Sequence, residues 1–205
     1  MLRLRTGAVI GKGRAPHSLR CSFFQEKGYF MEYRPISAQE LTPALFASFH
    51  RRQEVTHVWR KEDGKWVIRP LSFTEDWGEE EYTYLLQCLR NTLTTGGGVF
   101  GGFCQGKLKG FASVESKPLG SCGQYRDLSC IHVSQDMRGR GMGRQLFALA
   151  KGFAAGLGGE KLYISAHSSV ESQAFYKAMG CREAEQYSAA HVEREPCDCQ
   201  LECPV

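Results

Sequence analysis

The chain has no apolar run long enough to cross a bilayer, and its first residues lack the continuous apolar segment of a secretory signal. No C-x-x-C pair occurs among its nine cysteines, so a zinc site has little support and no metal is expected. An odd cysteine count without a secretory signal points to a reducing cytoplasm, with no membrane as partner. No repeat or low-complexity segment is present. A basic body is missing as well. Residues 1–30 hold six Lys/Arg (Arg3, Arg5, Lys12, Arg14, Arg20, Lys27) against Glu26 alone, so +5 of charge lies there and the rest of a chain of formal net charge +4 carries −1. A nucleic-acid partner is therefore not expected.

What is present begins with that leader. Residues 1–30 have no clear periodicity and are Arg-rich and acid-poor, in the manner of a transit peptide. Met31-Glu-Tyr-Arg-Pro-Ile36 reads as a native start running into a first strand. Glu26-Lys27-Gly28 can be encoded by a purine-rich stretch that would serve as a ribosome-binding site. The expectation is a disordered leader of upstream translation or an expression remnant over 1–30, and one folded domain over 31–205.

The body reads as alternating elements. Ser37-Ala-Gln-Glu40 is a capping box that opens a helix with Leu41, Leu45, Phe46 and Phe49 as its apolar stripe. Asp63-Gly64 marks a turn between Val55–Arg60 and Lys65–Arg69. A helix spans residues 79–93, where Tyr82, Leu85, Leu86, Leu89 and Leu93 recur at helical spacing, and Glu79-Glu80-Glu81 complement its dipole. Val99–Cys104 and Leu108–Glu115 flank a hairpin turn, and a third strand covers Gln124–Val133. A helix runs from Gly141 to about Gly156, followed by a strand at Lys161–Ala166. A helix over Ser169–Met179 carries Ala174, Phe175 and Ala178 inward. Final strands cover Arg182–Ser188 and Asp198–Cys203, the last with Cys197, Cys199, Leu201 and Cys203 on an apolar face. The order β-α-α-β-β-β-α-β-α-β-β predicts an α/β fold with a mixed sheet and helices packed on it.

The most informative stretch is Arg138-Gly139-Arg140-Gly141-Met142-Gly143-Arg144, lying between the apolar strand Leu128–Val133 and the apolar helix Gln145–Ala150. A strand, a Gly-rich turn and a helix let backbone N–H groups converge on a phosphate. A ligand-free turn with surface arginines competes with this reading. So does a dinucleotide fingerprint, but Arg144 stands where its third glycine would be.

Arg138-x-x-Gly141-x-Gly143 after a strand resembles the acetyl-CoA signature of the GNAT acetyltransferase superfamily. Ser169-x-x-Ser172-x-x-Phe175-Tyr176-x-x-x-Gly180-Cys181 is similar to a second segment of that family, with Ser169 in place of Asn, Ser172 in place of Ala and Cys181 in place of Phe. The resemblance covers residues 31–205 and implies a GNAT-like fold: a mixed, mostly antiparallel sheet, splayed at the cofactor site, with helices on both faces. It implies acetyl-CoA as acetyl donor. Main-chain groups at Ile131 and Val133, beside His132, would meet the pantetheine. The N–H groups of Arg138, Gly139, Arg140, Gly141, Met142, Gly143 and Arg144 would hold the pyrophosphate, with Arg138 or Arg144 on the 3′-phosphate, and Ser169 would lie near CoA.

The implied reaction is direct transfer of the acetyl group to a primary amine, with a small-molecule amine favoured over a protein. Tyr176 matches the family's general acid. An amine with a pKa of about 10.4 must lose a proton before attack, and the base is left open among Asp127, His132, His167 and a water-mediated route. Residues Arg51 to Trp77 are expected to shape the acceptor pocket. The superfamily also admits a homodimer. The alternative is a non-catalytic acyl-CoA-binding sensor that keeps the loop and lacks the acid and base.

Overall fold

The computed structural model describes residues 22–26 and 29–205. Its strands are β1 (Ser22–Glu26), β2 (Tyr29–Pro35), β3 (Arg52–Glu62), β4 (Lys65–Asp76), β5 (Gly98–Cys104), β6 (Lys107–Leu119), β7 (Tyr125–Val133), β8 (Lys161–Ala166), β9 (Arg182–Glu183) and β10 (Cys199–Pro204). The helices are α1 (Glu79–Thr94), α2 (Met142–Gly156), α3 (Val170–Ala178) and α4 (Ala189–Arg194). An eight-stranded sheet runs β1-β2-β5-β6-β7-β8-β10-β9, and β3 and β4 form a separate hairpin. Neighbouring strands of the large sheet are antiparallel except β7 and β8.

Helices cover both faces. On one, Met142, Leu146, Phe147, Ala150 and Ala154 of α2 and Tyr176 of α3 pack on Phe100, Ala112, Val114, Leu128 and Ile164. On the other, Leu85, Leu86 and Leu89 of α1 pack with Phe46, Phe49, Phe103 and Phe111. The helical spacing of these apolar positions selects the buried stripe, and each Leu or Phe removed from water contributes roughly 1.5–3 kcal/mol. The apolar row of β10 is in place, with Cys199, Leu201 and Cys203 buried. Its polar row is buried too. Glu202 is held by Tyr125, Lys161 and Arg182, and these bonds outweigh the cost of its burial and bring its pKa down to about 2.

Several elements depart from the sequence expectation. The capping box forms in part, since Glu40 Oε2 accepts from Ser37 N at 2.9 Å and Ser37 Oγ at 2.8 Å, but no α-helix follows. Pro43 forces Thr42 into an extended conformation (φ −126°, ψ 159°), so only a short 3₁₀ turn forms at Pro43–Phe46. The hairpin is far longer than the turn signal suggested, and its Pro70 is tolerated because β4 is an edge strand. The strand expected over Arg182–Ser188 stops at Glu183, and α4 follows. On α3 the inward residue is Tyr176, while Ala174 and Ala178 are exposed. Of the leader, Ser22–Glu26 pairs antiparallel with β2 as β1, and residues 1–21, 27 and 28 lie outside the described residues.

Candidate functional site

The site forms where β7 and β8 part. They pair only from Tyr125 opposite Lys161 to Asp127 opposite Tyr163. Two residues later β7 bulges. Val114 faces Leu128 while Ser113 faces Cys130, which leaves Ser129 as the extra residue. Ser134 N donates to Lys109 O on the β6 side (2.8 Å), so strand alternation turns the main-chain groups of Val133 and Ile131 toward the open side. Arg138 Nε already donates to one of them, Val133 O, at 3.2 Å.

The Gly-rich loop feeds α2 directly. Gly141 is its N-cap with φ 77°, and Gly139 has φ 72°. A Cβ built at either would meet nothing within 4 Å, so the left-handed dihedrals, rather than crowding, select glycine. No side chain caps α2 and no acid sits in its first turn. The first helical bond runs from Gln145 N to Gly141 O, so the N–H groups of Met142, Gly143 and Arg144 have no intrahelical acceptor. By contrast, α1 has Glu81 Oε2 accepting from Gly78 N, and α3 is capped by Ser169. Met142 buries its side chain and can offer only its main chain.

A single cleft of about 1540 Å³ runs from this loop past Phe175 and Tyr176 to Asp127, His191 and Asp198. That exceeds the roughly 300–1,000 Å³ of an ordinary single-ligand pocket. Tyr176 packs against Phe147 and Phe175, and burial raises its pKa well above the ordinary tyrosine value, so the hydroxyl keeps its proton.

The base candidates separate clearly. His132 Nδ1 accepts from Arg51 Nε at 3.2 Å. Burial first, then the charges of Arg51 and Arg138, lower its pKa to about 3, so its basic nitrogen is occupied and its ring stays neutral. His167 Nδ1 accepts from Ser169 N at 3.2 Å, and its Nε2 lies 3.5 Å from Glu75 Oε1. Neither imidazole has a free lone pair for an amine proton. Asp127 lines the cleft, with Oδ2 2.9 Å from His191 Nε2, and His191 Nδ1 lies 2.7 Å from Ser188 Oγ. Asp198 stands at the same end, where burial and the neighbouring Glu195 push its pKa up to about 6.

Ser169 turns its side chain into the protein. It is fully buried, with Oγ accepting from Gln53 Nε2 at 3.0 Å and Ser172 N at 3.2 Å, so it caps α3 and ties down the hairpin. Sequence reasoning missed His191 and Asp198. His191 falls beyond a stretch read as a strand, and Asp198 looked like the polar row of β10. Of the segment Arg51 to Trp77, Arg51, Gln53, Glu54, Glu75 and Trp77 line the cleft.

Residues 66–181, more than half of the chain, match the model of the acetyltransferase (GNAT) family. The chain belongs to the GNAT family. It is therefore an acetyl-CoA-dependent acyltransferase, with the mixed, mostly antiparallel sheet of that fold. Solved structures agree on the fold. A nourseothricin acetyltransferase is 17% identical, with TM-score 0.61 over 85% of this chain and 98% of its own. A Bacillus anthracis str. Ames structure in complex with acetyl coenzyme A is 14% identical, with TM-score 0.64 over 85% and 99%. A GNAT family acetyltransferase from Elizabethkingia anophelis with acetyl-CoA bound is 15% identical, with TM-score 0.51 over 85% and 98%. Among curated proteins no match is found.

Proposed function

We propose that this GNAT acetyltransferase moves the acetyl group of acetyl-CoA directly onto the primary amine of a small molecule. The observation that carries this reading is the continuity of the cleft from the uncapped α2 N-terminus, along the parted edge of β7, to the Asp127–His191 pair. The residues fit the cofactor. Free N–H groups of Met142, Gly143 and Arg144, with the helix dipole, suit a pyrophosphate, and Arg144 adds charge. The main-chain groups of Ile131 and Val133 that face the parted edge suit pantetheine amides, with Arg138 releasing the Val133 carbonyl. Acetyl-CoA supplies the activated acyl group there.

The chain's own residues supply the proton handling. Asp127, oriented by His191, takes the proton of the incoming ammonium, directly or through water. Tyr176 holds a proton for the departing sulfur, and its raised pKa keeps that proton in place until negative charge develops beside it. The structural likeness to a nourseothricin acetyltransferase supports a small-molecule amine. The net charge of −1 over residues 31–205 supports a non-nucleic-acid role, and the abundance of thiols supports a cytoplasmic one. The test has two parts. Acetyl-CoA should raise the thermal midpoint of the purified protein, and a panel of primary amines should yield acetylated product with matching release of free CoA. No shift at millimolar acetyl-CoA would sink the cofactor assignment. Binding without product from any amine would point to a sensor instead.

A further inference from the structure

Asp127 and Tyr163 form the last pair before β7 and β8 part, so their side chains leave the sheet on the same face. His191 of α4 meets both of them. Its Nε2 is 2.9 Å from Asp127 Oδ2, and its ring stands 5.1 Å from the Tyr163 ring. Yet α4 has only six residues and buries none of them. No apolar stripe fixes its place, in contrast to α1 and α2. Among the described residues, two hydrogen bonds tie α4 and its N-cap Ser188 to the sheet. One joins His191 to Asp127, and the other runs from Ser188 N to Tyr163 Oη at 2.9 Å.

Tyr163 is firmly held. It is 1% exposed, its ring packs edge-on against Tyr125 with centroids 5.6 Å apart, and its hydroxyl donates to Gln200 Oε1. Gln200 is buried in turn, and its Nε2 donates to Ser165 Oγ at 3.0 Å. Burial raises the pKa of the phenol, so its proton stays on the Gln200 bond while its lone pair takes the Ser188 N–H. From there the route to Asp127 is short. Ser188 forgoes the usual N-cap bond to the helix backbone, and its Oγ lies 2.7 Å from His191 Nδ1 instead. A carboxylate only accepts, so Nε2 of a neutral His191 carries the proton toward Asp127 and Nδ1 takes the Ser188 hydroxyl. A chain of satisfied bonds of this kind fixes the orientation of its members.

We propose that Tyr163, acting through Ser188 and His191, is a positioning residue for acetyl transfer: its hydroxyl pins the start of α4 and so keeps His191 on Asp127. This rests on the reading of Asp127 as proton acceptor given above. Tyr163 does not line the cleft and touches no reacting group. It acts at a distance because a misplacement of about 1 Å at a reacting centre is enough to cost on the order of 10²-fold in rate.

The experiment measures initial rates with the full chain, varied acetyl-CoA and the panel amine of highest turnover. Tyr163→Phe removes the hydroxyl and keeps the ring. It should lower kcat by about 10–10²-fold, with the KM for acetyl-CoA unchanged within about twofold. In a His191→Ala background the same substitution should change kcat by less than about twofold, because the residue it acts through is gone. Tyr125→Phe is the control. It also strips a buried hydroxyl, one that donates to Glu202 at 2.6 Å, and should keep the wild-type kcat. Where Tyr163→Phe does not fold, the half-buried Ser188 tests the same route: kcat should fall in Ser188→Ala and recover in Ser188→Thr, which keeps a hydroxyl. Wild-type kcat in folded Tyr163→Phe or in Ser188→Ala overturns the proposal. So does an equal loss with and without His191, or a matching loss in Tyr125→Phe. If Asp127→Asn keeps wild-type turnover, or no panel amine is acetylated, the underlying reading fails and the proposal with it. If Asp127→Asn is impaired and Tyr163→Phe is not, that reading stands and the role of Tyr163 alone falls.

Discussion

The two ends of the cleft are built in different ways. The cofactor end is made of main chain: seven consecutive residues, two left-handed glycines and an uncapped helix present N–H groups whose positions depend little on side-chain identity. The rest of the cleft is made of side chains from separated segments, with Glu75 on the hairpin, Asp127 on β7, His191 on α4 and Asp198 just before β10. Under the proposed function, a common cofactor would be gripped by backbone geometry that tolerates sequence change. A particular acceptor would be selected by charges that the tertiary fold brings together.

The comparison can be broken most forcefully at the acceptor end. Asp127→Asn should lower kcat by about 10²–10⁴-fold, the usual range for a positioned base, with the KM for acetyl-CoA little changed. Wild-type turnover in initial-rate assays would remove Asp127 from the mechanism. Tyr176→Phe should lower kcat by about 10²-fold at near-constant acetyl-CoA affinity, because the ring is buried and only the proton is lost. The phenol is the point where the two ends meet, so a pure binding defect would move Tyr176 to the cofactor side. At the cofactor end, Gly141→Val should weaken acetyl-CoA by roughly tenfold in calorimetric titration, since a β-branched residue resists φ 77° and crowds the approach.

Smaller effects sharpen the contrast. Ser169→Ala should cost about 1–2 kcal/mol in denaturant unfolding, through the lost α3 cap and the orphaned Gln53 amide, while acetyl-CoA affinity stays close to normal. His132 makes the acceptor end acid-sensitive. Its pKa of about 3 in the fold lies below the ordinary 6.5, so between these values the unfolded chain binds a proton that the folded chain refuses. Stability from this group is complete above about pH 6.5 and is lost as the pH falls toward 3. Replacing it, as in His132→Gln, should flatten the acid limb of the stability profile between about pH 6.5 and pH 3.

The same division governs what the sequence discloses. The Arg138–Arg144 loop and the Ser169–Cys181 segment are contiguous, so their spacing alone carries the resemblance, and the large elements around them follow from apolar periodicity. Ser37–Glu40 shows how local signals mislead: the box is real, but Pro43 stops the helix three residues later. His132 and His167 looked suitable as bases because sequence cannot show that Arg51 and the Ser169 N–H occupy their lone pairs. His191 and Asp127 are 64 residues apart, and no pattern links them before the sheet folds.

Direct transfer requires both ends of the cleft to be filled at once, and steady-state kinetics with varied acetyl-CoA and varied amine test this most directly. Intersecting double-reciprocal lines, with no acetyl label retained on protein incubated without amine, are predicted. Parallel lines together with a stable acetyl-protein adduct would contradict the account.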